Sequence, residues 1–293
     1  MHDDIGRIGI WTFALDTAPP GEAREMAAEL DALGFGALWL PEAIGRDPMV
    51  AATLALDATE RITVCTGVAS IYARGAMTMA SAWKAISAAF PGRFLLGLGV
   101  SHQMAVEGLR QQTYGPPLAS MSAYLDAMDG ALYVGAEPTV PPQRCLAALG
   151  PKMLTLAAER TRGAHTYYVP PEHTAFARKT MGPDALLAPE QKVILETDPA
   201  VAREIARANI AMYLGLPNYA NNLRRFGFSD DDITQCSDRL VDAIVAWGDV
   251  ETVRARVQAH LDAGADHVCL QVFPSDDPTR IRRDWQELAA ALL

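Results

Sequence analysis

The sequence predicts a (β/α)8 barrel, on three observations. Eight short, strand-like runs recur along 293 residues, a length close to that of a typical barrel of this kind. Helix-period segments separate most of them. The first run, continuing as Ile10-Trp-Thr-Phe-Ala-Leu-Asp-Thr-Ala-Pro19, lacks the glycine fingerprint that a doubly wound dinucleotide fold places there.

In chain order the expected strands are 8–13, 37–40, 62–67, 94–98, 145–149, 166–169, 193–196 and 268–273. Between the first two, Ala23, Met26, Ala27, Leu30 and Leu33 mark one helix face, and Gly34 is a natural stop. Near the end, Asp249 caps a helix carrying Val253, Val257 and Leu261 that finishes at Gly264. The Ala265-Asp-His-Val-Cys-Leu-Gln-Val-Phe273 run that follows reads as the last buried strand.

Two connections exceed what a plain barrel needs. One, at about 103–144, ends in the proline-rich 137–142 stretch, and the other, at about 197–248, reads as several helices. The whole chain, 1–293, is therefore expected to be one barrel domain with two insertions of the kind that form lids or subunit contacts.

Half the residues are hydrophobic, enough for a large core, and the formal net charge of -10 argues against nucleic acid. An anionic ligand would then need a local basic site or helix N-termini. No apolar run reaches membrane-spanning length, and Met1-His-Asp-Asp-Ile5 does not read as a signal peptide. Cys65, Cys145 and Cys269 fall in strand-like runs with no Cys-x-x-Cys pair, which predicts buried free thiols and a cytoplasmic protein. No metal-ligand spacing and no Gly-x-Ser-x-Gly elbow occurs.

Candidate chemistry lies where strands end, because ligands bind at the C-terminal face of a barrel. Thr66-Gly-Val-Ala-Ser70 ends the third strand, and Gly67 allows either close approach of a flat ligand or a simple barrel corner. Gly97-Leu-Gly-Val-Ser-His102 ends the fourth. His102 reads as an acid/base at the mouth or as a solvated loop residue. Leu149-Gly-Pro-Lys152 opens a helix whose free amides, with Lys152, make an anion site or an ordinary turn. Glu42 closes the second strand as a mouth carboxylate or a surface acid. His165 reads as structural and His173 as a loop residue or helix cap.

Together, 37–42, 66–77, 91–102, 148–153 and 263–267 resemble the luciferase-like flavin and deazaflavin oxidoreductases, nearest the branch that uses coenzyme F420. The resemblance covers nearly the whole chain. It implies a cofactor ring over the C-terminal mouth, backed by a non-proline cis peptide whose counterpart here is Gly67-Val68, flanked by Ala69 and Ser70. It places Gly99, Val100 and Ser101, with Ala148, Leu149, Gly150, Pro151, Lys152 and Met153, against the ribityl-phosphate. A related sugar-phosphate dehydrogenase carries an Asp-His pair where this chain has Glu42 and Ala43, so that histidine's role does not transfer. The same relative has a catalytic glutamate where this chain has His102.

The resulting expectation is F420-dependent hydride transfer to or from a small organic substrate. His102 would serve as acid/base, Glu42 as a polar anchor, Trp11, Tyr72 and Arg74 as pocket residues, and Lys152 and Arg74 as cofactor anchors. A homodimer is expected. The alternatives are an FMN-dependent monooxygenase and a non-catalytic protein that binds a flavin-like ligand.

Overall fold

The computed structural model describes residues 5–274 and 277–293, so the Met1–Asp4 start lies outside the described residues. Its centre is a closed ring of parallel strands: β1 (Ile8–Trp11), β2 (Ala37–Leu40), β3 (Thr63–Thr66), then, past the two-residue β4 (Ala69–Ser70), β5 (Phe94–Gly99), β6 (Gln143–Ala147) and β7 (Gly163–Thr166). The ring continues through β8 (Leu186–Leu195) and skips β9 (Val245–Gly248). It closes at β10 (Val268–Val272), which pairs with both β8 and β1. Helices cover its outside, and among the described residues none is long and apolar enough to cross a membrane.

The elements form where the sequence calls for them, with informative exceptions. Helix Pro20–Leu33 buries Ala23, Met26, Ala27 and Leu30 and stops at Gly34, whose φ of 95° suits a residue without Cβ. Helix Val250–Asp262 is capped by the Asp249 carboxylate, which accepts from the Thr252 amide.

The expected strand at 166–169 instead occupies Gly163–Thr166, and the strand expected at 193–196 begins at Leu186. Both misplacements have one cause: polar residues point into the barrel. His165 in β7 is buried, and so are Glu190 and Lys192 in β8, so an apolar-run criterion starts each strand too late. β9 falls inside the 197–248 stretch expected to be helical and extends the sheet beside the C-terminal half of β8. The 103–144 stretch holds a π-helical turn, Met104–Leu109, and helix Pro117–Asp129.

Inside the ring, Ala37, Cys65, Cys145, Ala188 and Cys269 are small enough to leave space for the fully buried Trp39. Its indole stacks on His165 at 4.5 Å and donates to His267 Nε2 at 3.0 Å. Nδ1 of His165 donates to the Ala188 carbonyl, and Nδ1 of His267 to that of Gly6. Burial pushes both imidazoles down to about 4, so they are neutral at pH 7.

Candidate active site

At the C-terminal end of β3 the Gly67-Val68 peptide is cis, and the Trp11 indole N–H donates to the Gly67 carbonyl at 2.9 Å. Val68 then lies across the end of β5. A Cβ on Gly99 would come 2.5 Å from Val68 Cγ2, so this crossing needs glycine. Thr66 ties the two strands together, its hydroxyl donating to Gly97 O at 2.7 Å and accepting from Gly97 N at 2.8 Å. Gly67, Val68, Val100 and Ser101 stay half-exposed beside the buried Ala69, Ser70 and Gly99. The result is a shallow shelf of small residues along the β3–β5 edge. Ser101 turns the chain off this shelf with a φ of 57°, and His102 follows at the rim.

Glu42 sits behind the shelf rather than on it. Its carboxylate accepts from the Ser70 amide at 2.7 Å and from Arg74 at 2.8 and 3.0 Å, with Arg110 at 3.4 Å. The Arg74 guanidinium also reaches Asp47 at 2.7 Å. Arg74 is therefore matched by two carboxylates and is a poor anchor for a cofactor phosphate, contrary to the sequence expectation. Tyr72 is likewise committed to the scaffold, where its hydroxyl accepts from the Gly115 amide at 2.9 Å.

The phosphate corner expected at Ala148–Met153 has the required form. Gly150 is the N-cap of helix Pro151–Arg160 and offers no side chain to its free amides. Lys152 is exposed, and Leu149, Gly150 and Met153 are half-exposed around the buried Ala148. The structure adds a cation the sequence reading missed. A Cβ on Gly150 would lie 3.9 Å from Nη2 of Arg225, the last residue of helix Pro217–Arg225.

Beside it, Asn222 Oδ1 accepts from Arg225 at 3.1 Å, while Asn222 Nδ2 is buried with no partner among the described residues. His173, expected in a loop or cap, lies fully buried in the first turn of helix Pro171–Met181 and donates from Nε2 to Leu149 O at 2.9 Å. Burial, opposed by that hydrogen bond and helped by the Arg225 charge, pushes it down to about 4. Uncapped amides, two cations and an orphaned amide donor fit a phosphate group.

The same helix reaches His102 at its other end. Asn218 Oδ1 lies 3.1 Å from His102 Nδ1, and the Tyr219 ring packs 5.5 Å from the imidazole. Burial lowers the proton affinity of His102 and the Asn218 hydrogen bond opposes the shift. Tyr219 continues into Tyr167 and Tyr168, and Tyr167 touches Trp11, with Phe13 behind it. These rings make the mouth aromatic. Beneath them the Lys192 ammonium lies 4.0 and 3.4 Å from the Tyr167 and Tyr168 ring centres and pairs with Glu190 at 2.8 Å. Burial raises the Glu190 pKa and lowers that of Lys192.

Residues 7–267 match the model of the luciferase-like monooxygenase family. The chain is 25% identical to a protein of Mycobacterium tuberculosis named as a coenzyme F420-dependent oxidoreductase, across 94% of this chain and 96% of that one. An F420-dependent secondary alcohol dehydrogenase bound to an F420-acetone adduct superposes with a TM-score of 0.78, at 15% identity and with 98% of this chain and 99% of that chain covered. The coenzyme F420-dependent tetrahydromethanopterin reductase of Methanopyrus kandleri gives 0.77 at 17% identity, covering 98% of each chain. The oxygenating constituent of 3,6-diketocamphane monooxygenase of Pseudomonas putida, in complex with FMN, gives 0.68 at 14%, also over 98% of each. At these identities the structural likeness speaks for the fold.

Proposed function

This chain belongs to the luciferase-like monooxygenase family, and on that premise we propose that it is an oxidoreductase using coenzyme F420. It would move a hydride between the deazaflavin and a small organic substrate in the barrel mouth. The observation that carries the reading is the continuous line from His102, along the shelf of Val68, Gly99, Val100 and Ser101, to the anion corner at Gly150–Met153. The M. tuberculosis relative and the two F420-dependent structures support the choice of deazaflavin.

When bound, the deazaflavin supplies a ring carbon that takes up or gives back a hydride. The chain does the rest. Val68 and Val100, half-exposed over the buried Gly99, present an apolar surface that a ring could lie on. Gly150, Lys152, Met153 and Arg225 would hold the phosphate by amides and charge, which the acidic whole protein cannot do through its net field. Tyr219, Tyr167 and Phe13 line the opening and limit water. His102 holds or accepts the proton that accompanies hydride transfer at a substrate oxygen or carbon. Glu42 acts as a positioning residue, fixing Ser70 and Arg74 behind the shelf. The single-domain organisation with two insertions and the homodimer belong to the same reading. So does the cytoplasmic location, in keeping with four buried free cysteines.

The test is anaerobic incubation with F420 and a panel of alcohols, ketones and enones, following the visible absorption of oxidised F420. Reduction or reoxidation that depends on substrate and falls in the His102→Ala variant is the expected result. Oxygen uptake with reduced FMN, and no F420 turnover, would replace this reading with a monooxygenase.

A further inference from the structure

We propose that Asn218 is a positioning residue that fixes His102 in the tautomer protonated on Nδ1, leaving Nε2 bare as the proton acceptor at the mouth. The proposal rests on the reading of the mouth as the reaction site. An amide oxygen can only accept, so at 3.1 Å from Asn218 Oδ1 the imidazole Nδ1 has to donate. A neutral imidazole carries one N–H, so Nε2 is then an acceptor, and it has no hydrogen-bond partner among the described residues. A histidine side chain free in water favours the opposite tautomer, so the choice belongs to Asn218.

The frame is rigid on both sides. Ser101, with its φ of 57°, sets the backbone before His102, whose carbonyl accepts from Val106 at 2.9 Å. Asn218 lies in the first turn of its helix, beside the buried Tyr219 that packs among Tyr167, Tyr168 and Tyr213. Charged neighbours are otherwise engaged. Glu107 accepts from the Gln103 side chain and the Tyr114 amide, and Arg110 turns to Glu42. Asn218 and Tyr219 are the groups from the facing helix, and neither brings a formal charge.

A bare Nε2 makes His102 a base toward a hydroxyl. Nε2 would take the O–H proton of a secondary alcohol bound there while the carbinol hydrogen, with its bonding pair, would pass to the deazaflavin and leave a ketone. The neutral form that burial favours is the form this step uses.

The proposal is tested on cofactor-free protein with 15N-labelled histidine, in a long-range 1H–15N spectrum at neutral pH, with His102 assigned through His102→Gln. The expected wild-type pattern is a protonated Nδ1 and a bare Nε2. Asn218→Ala should revert His102 to the Nε2–H tautomer while the signals of His165, His173, His260 and His267 stay in place, which shows that the fold is intact. Asn218→Asp should keep Nδ1–H and raise the titration midpoint of His102, because a carboxylate now faces it. In turnover, Asn218→Ala should lose roughly tenfold in kcat, part of the ~10²–10⁴-fold that general acid–base catalysis contributes, and Asn218→Asp should recover some of it at higher pH. An Nε2–H wild type, or a tautomer unchanged in Asn218→Ala, overturns the proposal. A correct tautomer in a protein that binds no deazaflavin supports the positioning and overturns the cofactor reading alone.

Discussion

At the β3–β5 edge of the mouth, a Cβ on Gly97 would land directly on the Thr66 carbonyl oxygen. Across the opening, the nearest neighbour of a Cβ on Gly215, just before helix Pro217–Arg225, is an ordinary contact at 3.6 Å. The two sides contribute to one site under opposite constraints. The strand side is backbone packed on backbone, and its residue choices are dictated by space. The connection side is a helix laid over the opening, and it contributes through the side chains of Asn218, Tyr219, Asn222 and Arg225. Strands supply the shelf, and the connection supplies the polar contacts that tune it.

The largest effect that would sharpen this contrast is functional. His102→Ala should lower turnover by ~10²–10⁴-fold with little change in F420 affinity, since in the proposed reading the cofactor would rest on the shelf and the phosphate corner. Steady-state kinetics alongside equilibrium binding would show it, and a matching loss of affinity would place His102 in the cofactor site instead.

Acid stability separates the barrel from its mouth. Burial holds His165, His173 and His267 at about 4 and His260 at about 3, against ~6.5 in an unfolded chain. The folded groups remain neutral where the unfolded chain takes up protons. Their contribution is therefore complete above about pH 6.5 and is lost as pH falls toward 4, by ~1.4 kcal/mol per pH unit for each group. Urea midpoints should drop steeply between pH 7 and pH 5, and nearly as steeply in His102→Ala, which lacks only the contribution of His102 itself. A flat profile would mean that these imidazoles are solvated.

Smaller still is the glycine pair. Gly97→Ala should cost ~3 kcal/mol, at the upper end of ordinary overpacking, whereas Gly215→Ala should stay within ~0.5 kcal/mol. Thermal or chemical melts decide this, and equal losses would erase the distinction between the two sides. Arg225→Ala should weaken F420 binding by roughly tenfold, the worth of one charge-assisted contact, and lower the melt modestly because Asn222 Oδ1 loses its donor.

The same division explains what the sequence makes legible. The shelf is written locally: Gly67, Gly99, Ser101 and Gly150 stand at strand ends, and the barrel rule says what strand ends do. Strands β1, β2, β3, β5 and β10 are apolar runs and fall close to their expected places. β7 and β8 do not, because His165, Glu190 and Lys192 are buried polar residues whose solvation depends on partners elsewhere in the chain. Arg225 and Asn218 carry no local signal at all. They lie far along the chain from Gly150 and His102, and only the return of the 197–248 connection over the mouth brings them there. Glu42 and Arg74 were legible as residues near the site, but their mutual ion pair, which removes Arg74 from phosphate duty, was not.

The most direct measurement is a tryptophan-fluorescence titration of wild type and Arg225→Glu with F420, and of wild type with FMN. Trp11, hydrogen-bonded to Gly67, serves as the reporter at the mouth. The result expected is micromolar or tighter binding of F420 by wild type, preferred over FMN, and at least about tenfold weaker binding by Arg225→Glu, where a contact of ~1.5–3 kcal/mol becomes a repulsion. Binding of neither cofactor, or F420 affinity untouched by reversing the charge at Arg225, would contradict a site shared between the strands and the connection.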